Sequence, residues 1–348
     1  MSRCKLEEFI SYEQPAKYIV DSDQYDDSYE TPVLTAGKSF ILGYTDEKNN
    51  IFDNLPIIIF DDFTTSVQFV DFPFKVKSSA MKLLKNTEQA DIKYCYYLLK
   101  FLQHTPENHK RQWLSATSQN TVELPAIEEQ KNIVRKLDKI LDVIDNQNKQ
   151  LELLDEAIKA RFVEMFGNPV SNSKDLPVQK MNNVAPICQY DGSLEESVWL
   201  LNLDMVEPQT GRIINYNIVS KDEIGGSVCT FDENNVLYSK LRPYLNKVVI
   251  PDGKGYATSE LVPLRPDSKI INRIYLAYLL RSNEFVEMIK EKVAGAKMPR
   301  VSMSDFREFN VPVPPLELQN QFASFVQEID KSRLLSNHSL FLIKSITF

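Results

Sequence analysis

Residues 111–130, RQWLSATSQNTVELPAIEEQ, set over residues 300–319, RVSMSDFREFNVPVPPLELQ, decide how this chain is organised. At a constant offset of 189 they share Arg111/Arg300, Ser115/Ser304, Val122/Val311, Pro125/Pro314, Glu128/Glu317 and Gln130/Gln319. Upstream, IKYCYYLLK (92–100) aligns with RIYLAYLLR (273–281) at an offset of 181. Further back, KSSAMKLLK (77–85) meets TSELVPLR (258–265) at an offset of 180. Order is kept and the offset drifts only by small insertions, so the chain reads as two copies of one ancestral fold.

Each copy has the same layout: a segment mixing strand and helix signals, a proline-marked junction, then a helix. Strand-like runs are Val33–Thr35, Leu55–Phe60 and Val67–Val70 in the first copy. In the second they are Val198–Leu203, Val236–Tyr238 and Lys247–Ile250. Asp252-Gly253 after the last run reads as a hairpin turn, with Tyr256-Ala257-Thr258 as the return strand. This is α+β organisation.

The first junction helix is the clearest element. Pro125 opens it, with Glu128 and Glu129 facing the positive end of the helix dipole. Leu137, Ile140, Ile144, Leu151, Leu154 and Ile158 fall on alternating a and d positions, Gln147 takes one d position and Arg161 ends the pattern. Gly167-Asn168-Pro169 stops it. About 40 residues at ~1.5 Å per residue give a rod of roughly 60 Å. So narrow a seam needs a helical partner, and the second copy offers one after Pro314-Pro315. There Phe322, Phe325, Val326 and Ile329 repeat at helical spacing, followed by Leu334, Leu335 and Leu340.

Composition narrows the function. The net charge of −8 is spread as −5 over residues 1–123, −2 over 124–167, −1 over 168–312 and zero over 313–348. A phosphate-binding surface must therefore be built from local basic clusters or supplied by partners. No run approaches the roughly 18 apolar residues of a membrane span, and the first residues carry no apolar signal-peptide core. Cys4, Cys95, Cys188 and Cys229 are scattered, as in a protein of a reducing cytoplasm. Catalytic signatures are missing: there is no glycine-rich cofactor loop with an Asn/Asp-Pro-Pro-aromatic motif. Gly37-Lys38-Ser39 lacks the first glycine of a phosphate loop, and the three histidines have no metal-ligand spacing. The expectation is a chain that binds and does not catalyse, with no cofactor or metal of its own.

The junction segments LPAIEEQKNIVRKLDKILDVID and VPVPPLELQ, with the helix close RFVEMFGNP, resemble the conserved regions of Type I restriction–modification specificity subunits. YEQPAKYIV, TPVLTAGKSFILGYT and FDDFTTS are similar to one type of target-recognition domain. LYSKLRPYLNKVVIP, GYATSELVPLRP and AKMPRVS are similar to another. The resemblance implies a first target-recognition domain over 1–123, a central conserved helix over 124–167, a second such domain over 168–312, and a C-terminal helix over 313–348, shorter than the family's. The two helices would pair as an antiparallel coiled coil. It further implies a subunit of a bacterial or archaeal cytoplasm that reads a split site in double-stranded DNA. Adenine methyltransferase subunits and a restriction (motor-nuclease) subunit would dock on it, and S-adenosylmethionine, ATP and magnesium would belong to those partners. Two other readings stay open: a degenerate or silent scaffold that assembles with methyltransferase without reading DNA, and a DNA-processing enzyme.

Candidate DNA contacts follow from charge beside aromatics. In the second segment, Lys240, Arg242, Tyr244 and Lys247 share an acid-free window, with Lys297, Arg300 and Ser302 before a short helix. In the first, Lys75, Lys77, Ser78, Ser79, Lys82 and Lys85 form the most basic stretch, with Lys75 and Lys77 on one strand face. His109-Lys110-Arg111-Gln112-Trp113 joins charge to a large ring, and Tyr12, Gln14 and Lys17 form a third group. Asp61 and Asp62 could accept a hydrogen bond from cytosine. Each cluster has a plainer reading as a solvated face or, for the Arg111/Arg300 pair, as a brace at the helix junction.

Overall fold

The computed structural model describes residues 2–35, 37, 39–106, 111–293 and 298–347, with the side chains of residues 2, 335 and 337–347 left aside. The chain divides into two units, Met1–Val143 and Ile144–Phe348. That boundary falls inside one helix, not at its ends.

The first unit runs β1 (Ser2–Lys5), β2 (Ile10–Glu13), β3 (Thr31–Leu34), β4 (Ile41–Thr45), β5 (Ile57–Asp61), β6 (Val67–Val70), β7 (Lys75–Val76), β8 (Met81–Asn86), α1 (Ile92–Phe101), α2 (Gln112–Ser115), β9 (Thr121–Leu124) and the start of α3 (Ile127–Phe166). One sheet has the order β2-β8-β5-β6, a second β4-β3-β7, and β1 pairs antiparallel with β9. The run Ile57-Ile58-Ile59-Phe60 shows why its strand has no polar face. Side chains alternate along a strand, so Ile58 and Phe60 enter one core with Leu84, Leu99 and Trp113. Ile57 and Ile59 enter another with Phe52, Phe74 and Leu83.

The second unit repeats this plan. After α3 come β10 (Val178–Lys180), α4 (Met181–Val184), β11 (Ser197–Leu201), β12 (Ile218–Ser220), β13 (Val228–Phe231), β14 (Val236–Ser239), β15 (Val248–Val249), β16 (Gly255–Thr258), β17 (Leu261–Leu264), α5 (Arg273–Arg281), α6 (Asn283–Lys292), α7 (Met303–Arg307), β18 (Asn310–Pro312) and α8 (Leu316–Thr347). β10 pairs antiparallel with β18, as β1 does with β9. β14 lies between β15 and β17, as β5 lies between β6 and β8. β11 runs parallel to β16, as β3 does to β7. Along β14 the alternation again feeds two cores: Val236 and Tyr238 face one, Leu237 the other.

One local expectation is corrected. β15 and β16 flank Asp252-Gly253 but do not form a hairpin. β15 pairs with β14, whereas β16 sits between β11 and β13 in the other sheet. The turn passes the chain from one sheet to the next, because Val248 and Val249 complete the apolar faces around β14 and Ala257 fills the core beneath Trp199.

α3 has Glu128 and Glu129 in its first turn. It closes at Gly167, whose φ of +70° suits glycine and where a Cβ would lie 2.3 Å from Ser173 Oγ. Within the second unit, its last turns meet α8 antiparallel. Phe162 and Phe166 lie 5.4 and 5.6 Å from Phe322, ring to ring, and Arg161 stands over Phe325. Further back along α3, Asp155 pairs with Arg333, further forward along α8. Ile158, Phe322, Val326 and Ile329 are buried in that core, with Leu154 packed against it. Ile144 is buried, and Leu137, Ile140 and Leu151 are half-buried. The side chains of Leu335 and Leu340 lie outside the description, and Leu334 is exposed. The heptad reading ended at Arg161, so it stopped before the two phenylalanines that anchor the helix. A spacing of four, Ile158–Phe162–Phe166, is the signal it passed over.

The repeated glutamines explain their own repetition. Gln130, fully buried, donates from Nε2 to the Pro125 and Gln89 carbonyls at 2.8 and 3.0 Å and accepts from Asp91 N–H at 2.8 Å. Gln319, also fully buried, donates to the Pro314 and Ile270 carbonyls at 2.7 and 3.1 Å and accepts from Asn272 N–H at 2.7 Å. Asp91 and Asn272 are the N-caps of α1 and α5. One side chain thus ties the base of each long helix to the start of an earlier helix, α1 or α5, satisfying three backbone groups that would otherwise be buried unpaired.

Candidate nucleic-acid interface

In the second unit the two basic windows meet. Beyond β14, Leu241 forms an antiparallel bridge with Arg300. Val301 N–H donates to Lys240 O at 2.9 Å and Arg242 N–H to Pro299 O at 2.8 Å. Lys240, Arg242 and Arg300 therefore occupy one short ribbon. Arg242 has φ +48° and ψ +61°, and Asn246 has φ +50° and ψ +51°, either side of a 3-10 turn, Pro243–Leu245. Left-handed backbone at a residue with a Cβ costs roughly 1–2 kcal/mol and persists only where its surroundings fix it. Here they do: Leu245 N–H donates to Arg242 O, Asn246 Nδ2 to Arg281 O, and Gln209 donates from its backbone to Leu245 O and from Nε2 to Tyr244 O, all between 2.9 and 3.0 Å. This rigid loop presents Arg242 and Tyr244 to solvent.

The remaining described candidates of this unit also make contacts within it. Lys247 donates from Nζ to Leu203 O at 2.6 Å, and burial pulls its pKa down, against the field of Asp204. Ser302 caps α7, accepting from Asp305 N–H at 3.4 Å and sharing a 2.7 Å bond with Ser304. Arg300 is gripped by the Glu260 carboxylate, at 3.1 Å from Nε and 2.9 Å from Nη2, which raises its pKa. Lys297 lies outside the described residues.

In the first unit, Tyr12 on β2 is exposed, as are Gln14 and Lys17 in the turn that follows. Glu13 organises them. It accepts from Lys85 at 2.7 Å and Tyr18 Oη at 2.9 Å, with Lys17 at 3.1 Å. The Lys85 bond, chiefly, with help from Lys17 and Tyr18 and against the cost of burial, holds its carboxyl at about 2. Lys77 is half-buried, paired with Asp23 and set over the Tyr25 ring; Ser78 is exposed.

Three expectations of surface contact are corrected. Lys75 is 1% exposed and ion-paired to Glu47, with Nζ donating to Asn49 O at 2.9 Å. Lys82 is 1% exposed and lies 3.1 Å from the equally buried Asp62. Trp113 is 1% exposed and packs edge-on against Phe60. These groups hold the unit together, since buried charges are paired inside proteins. Asp61 and Asp62 are internal too: Asp61 accepts from Phe63 N–H, and Asp62 from Trp113 N–H at 2.9 Å. Arg111 remains exposed at the head of α2, while His109 and Lys110 lie outside the described residues.

The Asp62 contact is the counterpart of the second unit's ribbon. Gln112 N–H donates to Asp62 O at 2.8 Å, as Val301 N–H donates to Lys240 O. Asp62 N–H reaches Ala80 O, as Lys240 N–H reaches Glu260 O. The same frame thus carries Asp62 and Ala80 in one unit and Lys240 and Glu260 in the other. Sequence reasoning missed Glu260, which lies 40 residues from Arg300 with no local pattern to connect the two. Among the described residues, no group of three or more His, Cys, Asp or Glu could hold a metal ion, and no helix is long and apolar enough to cross a membrane.

Comparison with known proteins gives this geometry a family. The model of the Type I restriction modification DNA specificity domain matches residues 3–156 and again residues 204–343. The chain is similar to the EcoR124I/EcoR124II Type I restriction enzyme specificity subunit of Escherichia coli, 47% identical over 147 residues, 38% of this chain and 36% of the relative. It is 27% identical over 124 residues to the EcoDI specificity subunit of the same species, 36% of this chain and 27% of that one. The matches thus span about a third of these relatives. A Type I restriction-modification S subunit structure from M. genitalium has the same fold, with a TM-score of 0.62 at 14% identity over 99% of this chain and 93% of that one. Two matched segments, covering most of the chain, carry the conclusion: the protein belongs to the family of the Type I restriction modification DNA specificity domain, which it contains twice.

Proposed function

We propose that this chain is the DNA-reading specificity subunit of a Type I restriction–modification complex, each unit reading one half of a split site. The observation that carries this is the duplication of a complete frame: two sheets, a paired N-terminal strand and a glutamine-clamped helix, with differing side chains on the loops. Such a design keeps the scaffold and varies what is read. The stiff Arg242–Tyr244 loop and the exposed Tyr12–Lys17 turn offer cation and aromatic groups suited to phosphate and groove contact.

In this reading the chain performs no chemistry and binds no cofactor. Adenine methyltransferase subunits would bring S-adenosylmethionine, and a restriction subunit ATP and magnesium, in the cytoplasm of a bacterium or archaeon. The net charge of −8 fits a division of labour in which partner subunits make many of the phosphate contacts.

Selection of bound duplexes from a random pool, using the chain co-purified with a methyltransferase subunit, tests the proposal. Two short defined sequences at a fixed gap are expected. Binding with no sequence preference at any salt concentration would contradict it and leave a scaffold role.

A further inference from the structure

We propose that Arg300 and Glu260 form a guanine-reading pair in the second unit, with Glu260 as the residue that orients the guanidinium. The inference rests on the DNA-reading role above and names the base that role would recognise at one position.

Arg300 Nε and Nη2 both donate to Glu260, at distances from 2.9 to 3.3 Å. This engages one edge of the planar group. Its outer edge, Nη1 and the second Nη2 hydrogen, has no acceptor among the described residues. The backbone beneath is fixed on both sides, by the Leu241–Arg300 bridge and by Lys240 N–H donating to Glu260 O at 3.0 Å. The guanidinium is therefore held as a fork whose free prongs point away from the carboxylate, with Arg300 about half exposed.

Guanine presents O6 and N7, two acceptors that match such a fork, whereas adenine presents an amino donor where O6 would be. A phosphate would also accept two bonds, but Glu260 sets a negative charge beside that place. The neutral base edge suffers no such repulsion, so the carboxylate favours base over backbone. It also limits the freedom Arg300 would lose on binding, because an arginine already forked by one partner is preorganised for a second. At the matching positions the first unit differs: Arg111 aligns with Arg300, but Ala80 stands in the place of Glu260. The pair is thus a property of one half-site.

The test uses the full chain in complex with a methyltransferase subunit, first unsubstituted, then as Arg300→Lys and Glu260→Gln. Binding is measured to duplexes in which each base pair of the half-site assigned to the second unit is changed singly. An exposed ion pair contributes little to folding, so both variants should keep the melting temperature of the parent. At one guanine the discrimination should fall roughly 5- to 150-fold, the range of a lost bidentate contact. The other positions and the salt dependence should stay unchanged. Equal weakening on every duplex, with a shallower salt dependence, would mark a phosphate contact and overturn the assignment. Discrimination that neither substitution alters would overturn the assignment alone. An unsubstituted complex without sequence preference would overturn the DNA-reading role and the assignment with it.

Discussion

Gln130 and Gln319 show most directly what single residues do here, because each serves three buried backbone groups at once. Leucine in either place keeps the volume and removes every bond. Each of Gln130→Leu and Gln319→Leu should destabilise its own unit by about 2–4 kcal/mol, the cost of buried groups left unpaired, measured by urea unfolding. Lys82→Met should cost about 3–5 kcal/mol, since it strands the Asp62 carboxylate in the interior, and should leave the recognised sequence unchanged if the lysine is purely internal. Glu13 adds a pH effect. Its carboxyl, held at about 2 when folded against an ordinary 4.5, contributes stability that is complete above pH 4.5 and drains away as pH falls towards 2. Urea midpoints between pH 6 and 3 should therefore drop further for the parent than for Glu13→Gln. Sequence showed the glutamines as repeated letters but not their duty. Nor did it show that Lys75 and Lys82 are buried, because their partners, Glu47 and Asp62, are 28 and 20 residues away and no local pattern connects them. Arg242 in left-handed backbone was equally invisible, since arginine carries no turn signal.

At the scale of elements, what could be read from sequence was what depends on local spacing. The start of α3 at a proline with two glutamates, its stop at Gly167 and the apolar run of β5 all follow from neighbours within a few residues. The Asp252-Gly253 turn is local as well, yet the partners of the strands it joins are not. β16 finds β11, more than fifty residues earlier, so a hairpin was expected where the chain changes sheets. The close of α3 hinges on aromatic packing that heptad counting stopped short of. Phe162→Ala, which would empty a space among Phe166, Tyr275 and Phe322, should cost about 3–5 kcal/mol. Leu153→Ala, on the exposed side of the same helix, should cost within about 0.5 kcal/mol. Calorimetry of the two variants separates the buried aromatic face of the helix from its exposed side.

For the whole molecule, the duplication was plain from residues 111–130 and 300–319, and it fits the proposed reading role in a chain whose net charge is −8. The two frames share most of their strand pairings, their glutamine clamps and their junction hydrogen bonds. They differ at the loop positions where Asp62 corresponds to Lys240 and Ala80 to Glu260 in the repeat. Selection for a constant scaffold with variable readers would leave this pattern, and it accounts for why candidate contacts were harder to name than the architecture. The most direct test is to co-express the chain with a methyltransferase subunit in a host lacking such a system and to map methylated adenines by long-read sequencing. The account predicts one split motif, two short half-sites around a fixed gap, methylated throughout the genome. An intact complex that purifies from those cells but leaves no new methylated motif would contradict it.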